Sequence, residues 1–178
     1  MTRRRCRAIA IAMAGVLGGL AAAGAAGVRW NGSASMPRGL WLVAPADGAP
    51  RRGQTVAVCP PDILAVREAA HRGYRPSGRC PDGLAPLLKI IAAAAGDVVT
   101  VTPAGIAVNG ALAANTAPLG QDSAGRPLRP FPPGVYPVPP GQIWLLSRDN
   151  PRGFDSRYFG PVPAGGVCGV ARPLWVSG

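Results

Sequence analysis

One lysine, Lys89, stands in a chain whose other strongly basic residues are all arginines, with His71 the single histidine. Arginine does not lose its proton in a protein, whereas a desolvated lysine does. Lys89 lies inside the apolar run that opens the segment Pro86 to Val99. Lowering a lysine from about 10.4 to about 7.5 corresponds to roughly 4 kcal/mol, a shift that burial is able to supply. A neutral amine made this way is a general base. The competing reading is a strand with one wet face, from which Lys89 snorkels into water. A hydroxyl is a poor nucleophile until such a base takes its proton. Ser33 and Ser35 lie in the small-residue stretch Asn31 to Trp41, which also reads as a serine-rich linker. A third polar segment runs from Leu146 to Val162. In it Asp155 and Arg157 stand two apart, so in an extended chain they share a face and pair, bracing a wall of a site.

These residues need a scaffold, and the pattern after Trp30 is short apolar runs broken by Gly and Pro, which reads as a mainly β, antiparallel domain. Strands are predicted at Leu40 to Ala44, Thr55 to Cys59, Leu87 to Ala92, Val98 to Thr102, Ile106 to Asn109, Ile143 to Ser147 and Gly166 to Arg172. Val98 to Asn109 forms a hairpin around Pro103-Ala104-Gly105. One short helix is predicted from Asp62 to Arg72, capped by Asp62 and stopped by Gly73. Ala111 to Gly141, rich in Pro and Gly, reads as extended loop.

At the N-terminus, residues 8–28 are uncharged and follow Arg3, Arg4, Arg5 and Arg7. About twenty such residues reach across a hydrocarbon core of about 30 Å. The positive-inside bias keeps the flank 1–7 in the cytoplasm and puts residues 29–178 on the far side of the inner membrane, in the periplasm. A cleaved signal peptide is the alternative, because Ala23-Gly24-Ala25 offers small-residue cleavage sites. Either way the domain is exported. In that compartment Cys59, Cys80 and Cys168 are exposed to oxidising conditions while Cys6 is not. Cys59 and Cys80, which bracket a short insertion, are the expected disulfide. No metal or other cofactor is expected, since the only histidine is His71 and zinc-type spacing is missing. The net charge of +11 is scattered and not interleaved with aromatics, which argues against nucleic acid as a partner.

Taken in order, the three segments resemble the signal peptidase I family. Ser35-Met36-Pro37 looks like its nucleophile box, and Lys89 through Gly96-Asp97 looks like its lysine box. Asp149-Asn150 with the run Asp155 to Gly160 looks like its third box. The compact size and the Cys59/Cys80 insertion look most like the TraF-type peptidases of conjugative transfer. The resemblance implies a membrane-bound serine endopeptidase with Ser35 as nucleophile and Lys89 as base. It further implies an oxyanion hole made by the Ser35 backbone N–H and the Ser33 hydroxyl, Met36 packed beneath, and Asp155, Ser156 and Arg157 in support. The implied substrate is an exported precursor, above all a pilin, with cyclisation of the product as a further activity. A general signal peptidase is the alternative within the class, and a non-catalytic periplasmic component of a secretion channel is the alternative outside it. Two departures stand out. The residue that the family has between Met and Pro is missing after Met36, and Gly153 stands where the family often has a serine bonded to the lysine. That leaves Ser156, a backbone carbonyl or water to hold Lys89.

Overall fold

The computed structural model describes residues 3–147 and 150–177. Arg148 and Asp149 of the third segment therefore lie outside the described residues. The chain opens with helix α1 (Arg3–Ala25), then strands β1 (Val28–Asn31), β2 (Arg38–Ala44) and β3 (Thr55–Val58). Helix α2 (Leu64–His71) precedes β4 (Leu87–Ala93), β5 (Val98–Thr102), β6 (Gly105–Val108), β7 (Ala111–Leu112), β8 (Gly134–Pro137) and β9 (Gln142–Leu146). Helix α3 (Ser156–Phe159), β10 (Val162–Pro163) and β11 (Val167–Ser177) close it.

The strands form two antiparallel sheets, one ordered β1-β2-β11-β3-β4-β9-β10 and one ordered β7-β6-β5-β8. β9 lies between two cores. Ile143 and Leu145 pack with Val56, Ile91 and Phe159, while Trp144 and Leu146 pack with Val99, Ile106 and Val108. A strand buried on both faces has no wet side, which is why Ile143 to Leu146 reads as an unbroken apolar run. A third cluster of Met36, Trp41 and Ala171 fills the space under the loop between β1 and β2.

Several expectations need correcting. Within Ala111 to Gly141, predicted to be loop, β7 and β8 add edge strands to the smaller sheet on either side of the β5–β6 hairpin. The cap of α2 is Ile63, with no side-chain bond, because Asp62 turns instead to an ion pair with Arg67 at 3.5 Å. Gly73, with φ of +75°, does end the helix as expected. β11 runs on past Arg172, taking in Pro173 next to a bulge, where β11 has left β3 and pairs with β2 alone. Helix α1 begins inside the arginine block and ends three residues earlier than the predicted span, at Ala25. The Arg29 guanidinium donates to the Gly24 carbonyl at that end. Among the described residues no helix is long and apolar enough to cross a membrane.

Candidate active site

Lys89 is on β4 opposite Val56, a fully buried residue of β3, and on the same strand face as Leu87 and Ile91. Only 1% of it is exposed, so the snorkelling alternative does not hold. Burial is the largest influence on its ammonium and lowers it to about 8; Asp155 opposes this and Arg157 adds to it. Nζ donates to the Ser147 hydroxyl at 2.8 Å. Ser147 is a holder that the sequence does not single out, and Ser156 is engaged elsewhere. The Ser156 hydroxyl instead accepts from the Leu145 backbone N–H at 2.8 Å and so fixes β9.

Ser147 and Gly153 are matched to each other. A Cβ on residue 153 would overlap both Oγ and Cβ of Ser147. The hydroxyl that the family places at residue 153 is thus supplied from residue 147, and glycine is the residue that leaves it room. The Ser147 backbone is fixed in turn, its N–H donating to Asp155 Oδ2 at 2.9 Å.

Asp155 and Arg157 do pair, at 2.8 Å and with both side chains buried. They do so across a helix start and not along an extended strand, since Asp155 caps α3 by accepting from the Arg157 N–H. The guanidinium then donates to the carbonyls of Gly153, Pro151, Asn150 and Asn115. A buried charge pair contributes little stability by itself, yet losing one partner is costly. Here the pair holds the segment that carries Gly153 against Ser147.

Ser35 lies half-buried in the loop from β1 to β2. Asn31, which the sequence gave no reason to notice, organises that loop by donating to the carbonyls of Ser33, Met36 and Pro37. Its Oδ1 has no proton, so the Ser33 hydroxyl donates to it at 3.0 Å, and the 2.9 Å contact between Ser33 and Ser35 has Ser35 donating. Asn150 donates to the Ala34 carbonyl at 2.9 Å and links this loop to the third segment. Met36 is 2% exposed and packs with Trp41 and Ala171. Ser33, Ser35 and Lys89 all line one cleft of about 1460 Å³. In this arrangement the Ser35 proton points to Ser33, so a transfer of that proton to Lys89 would first need the hydroxyl to rotate. His71 does not line the cleft.

The buried lysine has a measurable cost. The unfolded chain keeps its ordinary 10.5, so between about 8 and 10.5 the unfolded state holds a proton that the folded state does not, and stability rises with pH across that window. Below about 8 the folded state bears the full penalty, about 3 kcal/mol. Lys89→Met is therefore expected to raise unfolding free energy at neutral pH by an amount of that order, with the gain closing by about pH 10.5. Denaturant titrations at the two pH values check this, and equal gains at both would contradict it.

The expected disulfide is present between Cys59 and Cys80.

The signal peptidase family, peptidase S26, matches residues 4–176. The chain is 39% identical over 178 residues to the probable conjugal transfer protein TraF of Sinorhizobium fredii, spanning 97% of this chain and 92% of that one. It is 37% identical to a plasmid transfer protein TraF of Escherichia coli, spanning 94% of each. A signal peptidase I structure from Enterococcus faecalis aligns with 70% of this chain and 98% of its own at 23% identity and a TM-score of 0.38, a distant likeness. A family match from the fourth residue almost to the last, with relatives above one third identical along their length, makes this chain a member of the signal peptidase family, peptidase S26.

Proposed function

We propose that the chain is a membrane-anchored serine-lysine endopeptidase of conjugative transfer that matures an exported pilin precursor, with Ser35 as nucleophile and Lys89 as general base. The observation that carries this reading is a buried lysine, lowered to about 8, lining the same cleft as Ser35. By accepting one N–H of the neutral amine, Ser147 fixes the side chain and turns the lone pair away from itself, toward the cleft. Ser35 gives its proton to that lone pair and attacks the scissile carbonyl. The Ser35 N–H and the Ser33 hydroxyl, turned away from Asn31, donate to the oxyanion, an interaction often worth several kcal/mol. The leaving amine takes the proton from Lys89, and the acyl half stays esterified to Ser35.

The anchor is part of the proposal. It rests on the sequence alone, an uncharged stretch of 21 residues, 8–28, after an arginine block whose positive-inside bias points the domain to the periplasm, and not on helix α1, which by itself is not long and apolar enough to cross a membrane. The names of the relatives favour conjugation over general secretion. The ester permits two outcomes, hydrolysis by water or attack by the amine of the retained segment, whose effective molarity can exceed water's reactivity. The expected result with full-length enzyme and its cognate pilin precursor is a shortened product one water lighter than the linear chain, seen by intact mass. A shortened linear product alone would leave a plain hydrolase, and an uncut precursor would remove the proposal.

A further inference from the structure

We propose that Cys59, Cys80 and Cys168 form a thiol–disulfide exchange centre on the wall of the cleft, in which Cys168 trades places with Cys80 as the partner of Cys59. Cys59 and Cys80 are joined, and Cys168 is a free, exposed thiol whose Sγ lies 3.2 Å from Cys59 Sγ. All three sulfurs fall within 4.8 Å of one another. Two of them are spent in the bridge, so the cluster offers no set of thiolates to a metal.

The sheet holds this approach in place. Val167 faces Val58 and Gly169 faces Ala57, neighbouring residues of β3, so Cys168 is the extra residue of a bulge in β11. The Cys59 N–H donates to the Gly166 carbonyl at 2.8 Å, fixing the residue that follows β3 against the same turn. Two strands paired at the centre of the larger sheet thus carry the free thiol to the disulfide. The peptidase reading is not needed for this inference.

The step balances without an outside oxidant. The Cys168 thiolate bonds to Cys59 Sγ, the Cys59–Cys80 bond breaks, and its electron pair leaves on Cys80 Sγ, which takes up the proton that Cys168 gave up. Before exchange the bridge ties the end of β3 to the insertion 60–86. Afterwards it ties β3 to β11, and the insertion is held near Cys80 only by non-covalent contacts such as the buried Arg75 paired with Asp82. Tyr74, Arg75 and Arg79 of the insertion line the cleft, as do Cys59 and Cys168 themselves. Exchange therefore alters the cleft twice, at its sulfur-lined edge and in the mobility of the insertion.

Digestion after Arg and Lys places Cys59, Cys80 and Cys168 in three different peptides. Full-length protein in detergent, without reductant, is held at mildly alkaline pH, acidified, and blocked with a maleimide before digestion. The expected result is two populations: Cys59 linked to Cys80 with Cys168 blocked, and Cys59 linked to Cys168 with Cys80 blocked. Cys168→Ser should keep only the first, which sets the background from scrambling, and Cys80→Ser should form the second in full. Finding wild-type protein linked only through Cys59 and Cys80, with all Cys168 blocked, overturns the proposal whatever the Cys80→Ser variant does. Hydrogen exchange of residues 60–86 should be several-fold faster in Cys80→Ser than in Cys168→Ser. Equal rates would overturn the claim that exchange loosens the wall.

Discussion

Ser35→Ala and Lys89→Arg are each expected to reduce precursor cleavage by a factor on the order of 10⁴ or more, as removal of a member of a catalytic unit does elsewhere. Arg keeps the positive charge and cannot act as a base, so the second variant separates proton transfer from electrostatics. The wild-type profile carries its own signature. Only the unprotonated lysine accepts the Ser35 proton, and with the group lowered to about 8, about a tenth of it is neutral at pH 7. Activity at low substrate should therefore climb about tenfold per pH unit below about 8 and level off above it. A bound precursor expels water from the cleft and desolvates the amine further, so the midpoint at saturating substrate should fall below that at low substrate. Substantial cleavage by purified Lys89→Arg protein, or a flat profile between pH 6 and 9, would sink the assignment.

Parts of this site are legible in the sequence because they are local. A lone lysine inside an apolar run marks itself as a candidate base, though strand geometry alone fits a snorkelling lysine as well, and the run predicted as Leu87 to Ala92 falls one residue short of β4. Ser35 and Met36 lie in one short segment, so a family pattern finds them together. The pairing of Asp155 with Arg157 was visible from their spacing, but not its geometry, since a four-residue helix is too short to leave a periodic signal. Edge strands are less legible still. β8 sits between prolines, and what makes it a strand is its register with β5, a partner more than thirty residues away. The N-cap of α2 was misjudged by one residue because Asp62 has a cation within reach, and local propensity takes no account of that competitor.

The least legible relation joins three residues that no sequence window contains. Ser147 meets Lys89 across 58 residues of chain, and it does so only because Gly153 has no side chain. Gly153 looks like the loss of a functional serine when read alone. In the folded molecule it is the condition for a serine elsewhere. In the proposed chemistry the lysine is a strict requirement, whereas the hydroxyl that fixes it has to be near Nζ and nothing more.

That relation makes a prediction in three variants. Gly153→Ser alone drives its Cβ into the Ser147 side chain, an overpacking expected to cost about 1–3 kcal/mol of stability, with the Lys89 contact displaced. Ser147→Gly alone leaves a buried amine without its acceptor, a loss of about 1–3 kcal/mol in the positioning of the base, or roughly 5- to 150-fold in kcat/KM. Ser147→Ala would not serve here, because the Ser147 Cβ also occupies the space that a side chain on residue 153 needs. In the double variant, Ser147→Gly with Gly153→Ser, the new Cβ falls where the Ser147 hydroxyl now stands, so the hydroxyl it carries comes within reach of Nζ. The double variant should therefore recover both stability and kcat/KM relative to either single one, giving a coupling of at least about 1 kcal/mol where independent sites would add. Its pH midpoint should return toward the wild-type value near 8, which a purely steric rescue would not produce. If stability recovers in the double variant while the losses in kcat/KM simply add, Ser147 does not position Lys89, and the match between Ser147 and Gly153 is one of packing alone.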